Sequence, residues 1–192
     1  MATSQSIPPF PSDIDRDAFG HWLSGFTDGE GNFKLTWHRT KPRGPRGTIY
    51  TVPGARFEIG VRDDDSAVIE LIRSYFGVGR LATRPARGNH KPLIRIMVAS
   101  AADLMAVVVP HFDRFPLRAK KRRDYELWRR GVALLHSVLI RPSIPRTDGI
   151  RGTRPKWTQD EREEFHRLFL AVKAVREYPC APTPRRPAPR CS

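Results

Sequence analysis

Regular patterning begins near Asp15, where Phe19, Trp22, Leu23 and Phe26 fall at i, i+3, i+4 and i+7 and share one face of a helix. That face is assigned to the core. The opposite face carries His21, Ser24, Gly25 and Asp28, small residues where a solvated helix would place Lys, Glu or Gln, so another backbone can approach closely. Gly29 and Gly31 are expected to stop the helix and leave Glu30 in a tight turn. From Asn32 to Arg39 the period changes to two, with Phe33, Leu35 and Trp37 on one side and Lys34, Thr36 and His38 on the other. A basic connection rich in turn residues, 41–47, leads to a return strand from Ala55 to Arg62. Its Phe57, Ile59 and Val61 alternate with Arg56, Glu58, Gly60 and Arg62.

Asp63, Asp64 and Asp65 supply N-cap chemistry for a helix that turns Val68, Ile69, Ile72 and Phe76 inward and closes at Gly77. A second hairpin follows, with strands near Gly79–Arg84 and Leu93–Val98. Ala101 to Val109 predicts a short helix ending at Pro110, and a longer one opens after Pro116 with Tyr125, Trp128, Val132, Leu135 and Leu139 inward. Thr158 to Glu161 forms a capping box, and Phe165, Leu168, Phe169, Val172 and Val175 make the following helix amphipathic. The order is αββαββα plus C-terminal helices, an α+β fold in which two hairpins build one antiparallel four-stranded sheet with helices on its apolar face. The expected division is a leader over 1–12, a domain over 13–140, a linker over 141–157, an amphipathic helix over 158–177 and a disordered Pro/Arg-rich tail over 178–192.

Charge then decides what the polar face meets. Thirty-four Lys and Arg against twenty Asp and Glu give a formal +14, so a polyanion is the expected partner and nucleic acid its first candidate. The polar and cationic residues expected to meet it fall where the sheet presents them: Lys34, Thr36, His38 and Arg39 on the first strand and Lys41, Arg43 and Arg46 in the connection beyond it. Arg56, Glu58 and Arg62 lie on the second strand, and Arg80, Arg84, Arg87, Lys91 and Arg95 on the second hairpin. Five basic residues within 118–123 crowd a helix start, where the macrodipole favours anions; an external anion explains them best, although a solvated cluster would tolerate the penalty of about a few tenths of a kcal/mol each. The two cysteines, Cys180 and Cys191, have neither metal-site spacing nor a disulfide framework. No apolar run marks a signal peptide or membrane anchor, so an intracellular setting is expected.

The stretch Gly25-Phe26-Thr27-Asp28-Gly29-Glu30-Gly31 after Trp22-Leu23-Ser24 resembles the LAGLIDADG motif of homing endonucleases, in its single-motif, homodimeric form. Phe76-Gly77-Val78-Gly79 and Pro116-Leu117-Arg118-Ala119-Lys120-Lys121 are similar to further segments of that family. The resemblance implies a site-specific, metal-dependent DNA endonuclease that joins two copies through the motif helix at His21, Ser24, Gly25 and Asp28. It implies Mg²⁺ or Mn²⁺ on the Glu30 carboxylate and the Gly29 carbonyl, with Lys120 as the basic side chain of the site and Lys121 as the fallback. For Asp28 a structural role, capping a neighbouring helix, is the favoured reading. The implied partner is duplex DNA with a long, roughly palindromic target tied to an intron or intein. An ungapped match places Val61 where the family often carries a glutamine that positions water. The alternative function is therefore a non-catalytic binder on the same fold, either an RNA maturase acting on intron RNA or a degenerate DNA binder.

Overall fold

The computed structural model describes residues 6–39, 49, 51–88, 91–142 and 157–176. Asp15 opens the first helix, α1 (Arg16–Glu30), by accepting the Ala18 N–H at 2.7 Å. The helix runs through Glu30 and passes directly into β1 (Gly31–Arg39), without the turn expected at Gly29. Gly31 has ordinary extended backbone, φ −76°, and its need for glycine is spatial: a Cβ there would lie 2.3 Å from the Thr27 side chain.

β1 pairs antiparallel with β2 (Thr51–Arg62), which starts four residues before the expected strand. Asp63–Asp65 form a 3₁₀ turn without a side-chain cap; Asp64 is spent instead on Arg62, 2.5 Å away. Helix α2 (Ser66–Phe76) buries Ile69, Ile72 and Phe76 and ends at Gly77, whose φ of +66° is the left-handed cap a glycine accepts. β3 (Arg80–Arg84) and β4 (Leu93–Val98) complete one antiparallel sheet in the order β1-β2-β4-β3. The expected α+β architecture, two hairpins with helices on the apolar face, is what the chain adopts.

The helix expected to end at Pro110 does not. From α3 (Ala101–Asp103) the chain passes through a π turn, Leu104–Val108, into α4 (Val109–Arg114), where Pro110 sits in the first turn and its missing N–H costs nothing. Helix α5 (Lys121–Leu139) then crosses the apolar face of the sheet, buries Trp128 and Val132, and approaches β1 so closely that a Cβ on Gly131 would lie 2.7 Å from Leu35. Its last turn buries Val138 and leaves Leu139 49% exposed, the reverse of the expected phase. Phe33 is the hub of the core, with ring centroids 5.2 Å from Phe57, 5.3 Å from Phe112 and 5.1 Å from Trp128. Burying side chains of that size contributes about 1.5–3 kcal/mol each.

The C-terminal helix α6 (Gln159–Arg176) starts with the expected capping box: Glu161 accepts the Thr158 N–H at 2.9 Å and Thr158 accepts the Glu161 N–H at 3.3 Å. It packs on α5 and β1 and carries Arg176 to the backbone of Phe33 and to Asp124, 2.9 Å away. Among the described residues no helix is long and apolar enough to cross a membrane. Lys41, Arg43 and Arg46, most of the linker, and the tail lie outside the described residues.

Candidate active site

The rotation of α1 differs from the sequence reading by about one residue. Phe19 and Leu23 are buried as expected, but Gly20, Ser24 and Thr27 are buried beside them, whereas Trp22 is 43% exposed. The reason is the segment after α4, which lies against the small residues. Gly20 is covered by the Phe115 ring, and Ser24 donates to the Phe115 carbonyl at 2.6 Å. Ser24 Oγ also lies 3.5 Å from His111, a buried imidazole 3.2 Å from the Tyr75 hydroxyl, and burial pushes the His111 pKa down to about 4. Ser24, expected at an interface between copies, is thus buried and hydrogen-bonded within its own chain. The exposed stripe of the helix consists of His21, Trp22, Gly25 and Gly29, with Trp22 stacked on Phe26 at 5.0 Å. A Cβ on Gly25 or Gly29 would meet nothing within 4 Å.

Asp28 stands at the C-terminal end of α1 and caps the approach to α5. Its Oδ2 accepts the N–H groups of Arg118 and Ala119 at 2.9 and 3.1 Å. Its Oδ1 is buried without a hydrogen-bond partner among the described residues, which leaves one acceptor unspent. The neighbouring basic side chain at the helix end is that of Lys121. Its Nζ donates to the carbonyl oxygens of Gly29 at 3.1 Å and Gly31 at 2.7 Å. Burial lowers the ammonium's pKa against the attraction of Asp28, Asp124 and Glu30. Lys120, one residue earlier, is exposed and precedes the first turn of α5.

Two cavities meet at this junction. One of about 860 Å³ is lined by Asp28, Gly29, Lys120, Lys121, Arg123 and Arg176, among others. The second, about 230 Å³ on the open face of the sheet, is lined by Glu30, Lys34, Glu58, Gly60, Arg84 and Arg95 among its residues. Asn32 lines both. Glu30 is exposed and looks onto the sheet face, while Gly29 opens to the larger cavity. Asn32, Arg123 and Arg176 escaped the sequence reading. The first two had a signal, as the first open-face residue after the motif and as a member of the basic run. Arg176, at the far end of α6, had none.

On the open face, Lys34 stands opposite Arg56 and both are tied to Glu58, at 2.8 and 2.7 Å. Burial raises the Glu58 pKa, but the hydrogen bonds from Lys34 and Arg56 and their charges outweigh it and hold the carboxyl below its usual range. Thr36 and His38 bond each other at 2.7 Å, and Arg62 is paired with Asp64. Arg80, Arg84, Arg87 and Lys91 are exposed, as is Arg39. Arg95 is half-buried, with its Nε lacking a hydrogen-bond partner among the described residues. Val61, the position matched to the family glutamine, is half-buried against the core, and it lines a further cavity of about 490 Å³ together with Glu30 and Gly60.

Among the described residues no three His, Cys, Asp or Glu side chains converge as a metal cluster. Mg²⁺ needs only one or two carboxylates, with water and phosphate oxygens completing the shell. Glu30, the Gly29 carbonyl and the unspent Asp28 oxygen meet that requirement in kind. The carbonyls of Gly29 and Gly31 already draw a cation, the Lys121 ammonium.

The α+β fold thus joins a four-stranded antiparallel sheet with a cationic open face to a helix tip that gathers carbonyls, a carboxylate and a lysine. The family model described as LAGLIDADG endonuclease matches residues 23–132, and the chain belongs to that family. A "Probable intron-encoded endonuclease 3" of Neurospora crassa is 28% identical over 132 residues, covering 69% of this chain and 22% of that protein. Among solved structures, I-SmaMI bound to an uncleaved DNA target in the presence of calcium ions superposes with a TM-score of 0.60 at 21% identity, over 94% of this chain and 54% of that one. I-LtrWI bound to its target DNA superposes with a TM-score of 0.59 at 20% identity, over 84% of this chain and 45% of that one. The chain thus spans about a fifth of that curated relative and about half of each of these solved chains.

Proposed function

We propose that this chain is one subunit of a homodimeric, divalent-metal-dependent endonuclease that cuts a long, roughly palindromic duplex DNA site. The observation that carries the reading is the convergence of Lys121, the Gly29 and Gly31 carbonyls and Glu30 at the edge of a cationic sheet face. The homodimer is supported by the stripe His21, Trp22, Gly25 and Gly29, which has no covering element among the described residues. A two-fold axis beside Gly25 would bring two copies of Glu30 together, one for each DNA strand.

Glu30 and the Gly29 carbonyl would hold Mg²⁺ or Mn²⁺, which when bound supplies Lewis acidity and an ionisable water. The chain's own residues do the rest. The sheet's cations dock the duplex, and Asp28 fixes the start of α5 so that Lys121 stays over the junction. The Lys121 ammonium lies where negative charge grows on the phosphate, and a preorganised cation there is worth far more than in water. In this reading Lys121 has the role first matched to Lys120, supported by its contacts with the Gly29 and Gly31 carbonyls.

The second reading, a binder of intron RNA or DNA that does not cut, is favoured by Gly60 and Val61, neither of which can hold a water by side-chain hydrogen bonding. Both readings require salt-dependent nucleic-acid binding. A random duplex library retained on the protein and then given Mg²⁺ separates them: double-strand cleavage that EDTA abolishes supports the nuclease, and retention without cleavage supports the binder.

A further inference from the structure

The open face of the sheet contains one acid that a plain phosphate-binding surface would not keep. Glu58 is 5% exposed, yet it sits among cations on the face away from the core. Lys34 and Arg56 are directly opposite one another in the β1–β2 register, an arrangement of like charges that destabilises a sheet. Glu58, two residues along β2 on the same face, accepts from both, one carboxylate oxygen each. Arg56 Nη1 also lies 3.8 Å from Met97 Sδ, so the guanidinium is steadied from a second side. The acid lowers the attraction of this face for phosphate by one charge and leaves water to do so. A surface selected only for affinity would replace it.

We propose that Glu58 is a specificity-determining positioning residue, one that holds Lys34 and Arg56 as a fixed pair of donors reading a guanine-containing step in the major groove. The inference rests on the DNA-binding reading above. Burial and hydrogen bonding fix the Glu58 end of the cluster, while the side chains of Lys34 and Arg56 keep 38% and 27% exposure. Arg56 uses Nη1 on the carboxylate and carries further N–H donors on Nε and Nη2, and Lys34 uses one of three ammonium protons there. Guanine is the base whose O6 and N7 accept such donors together. The neighbouring cations differ: Arg62 is paired with Asp64 where both are more than half exposed, a contact too loose to fix a side chain.

The test is selection from a random duplex library by the full chain and by Glu58→Gln, with the salt dependence of binding measured on the best sequence. The expected result is that Glu58→Gln stays folded by circular dichroism, binds with a steeper salt slope by roughly one to two counterions, and loses the guanine preference at one or two adjacent positions of each half-site only. Arg56→Lys keeps the charge but removes the fork, and should lose the guanine at the same position with the salt slope unchanged. Unchanged preference at every position in both variants overturns the inference, as does an even loss across the whole site. If Glu58→Gln fails to fold, Arg56→Lys decides by the same criterion. A wild-type chain that selects no duplex sequence overturns the DNA reading itself, and the inference with it.

Discussion

Gly25→Leu separates the interface of the motif helix from the fold of the subunit. In the single chain a side chain at this position enters open space, since an added Cβ meets nothing within 4 Å. The subunit should therefore gain the helix-propensity difference between Gly and Leu, about 0.6–0.8 kcal/mol, and lose no packing. In the proposed dimer the same side chain would enter the seam beside the two-fold axis. Overpacking of that kind costs about 1–3 kcal/mol, which raises the dimer dissociation constant roughly 5- to 150-fold. Gly20→Ala is the opposite case, because its Cβ falls 2.5–2.8 Å from the Phe115 ring and must strain the subunit itself. Sedimentation velocity over a concentration series, paired with thermal melting of the dilute protein, reads the two quantities separately. The expected pattern is a weakened dimer with an unchanged or raised melting temperature for Gly25→Leu, and a lowered melting temperature for Gly20→Ala. A Gly25→Leu protein that sediments as wild type refutes the interface, and one that melts early refutes the open face.

Lys121→Met should slow cleavage by more than it weakens DNA binding, whereas Lys120→Met should change affinity more than rate; single-turnover cleavage on saturated DNA checks both. His111 has its pKa pushed down to about 4 by burial, against about 6.5 in an unfolded chain, so the unfolded state binds the extra proton first. Its contribution is complete above pH 6.5 and is lost as pH falls toward 4, about 2 kcal/mol of it by pH 5, and urea unfolding of wild type and His111→Gln at the two pH values should show the difference only in wild type. Binding to duplex DNA should fall about 10³- to 10⁵-fold between 50 and 200 mM salt for six to ten phosphate contacts. The lower part of that range is expected, because Lys34, Arg56 and Arg62 are already paired within the chain; a flat titration counts against the cationic face.

The sheet was legible because its signal is local: Phe33 with Leu35, and Phe57 with Ile59, alternate with polar and charged residues over a few positions. The phase of α1 was not. Trp22 is the largest apolar residue of the helix and was placed inside, but the segment that selects the buried face is at Phe115, about ninety residues away, and it demands the small side chains of Gly20 and Ser24. Glycine carried a related ambiguity: Gly31 provides room for Thr27 and not a turn, which composition alone does not distinguish. Between Lys120 and Lys121 the sequence offered one residue of offset, about 100° around a helix, and the contact of Lys121 with the Gly29 carbonyl, across about ninety residues of chain, was not legible in it. The acidic run at 63–65 looked like a cap but met Arg62 first.

The central claim, that Glu30 gives this sheet a metal-dependent cut, is tested most directly with Glu30→Gln on a selected duplex target, by measuring affinity and Mg²⁺-dependent cleavage in the same preparation. The substitution removes the exposed carboxylate proposed to hold the metal and leaves the cations of the sheet in place. Near-wild-type affinity with cleavage abolished on both strands is the predicted result, and cleavage at the wild-type rate would contradict it.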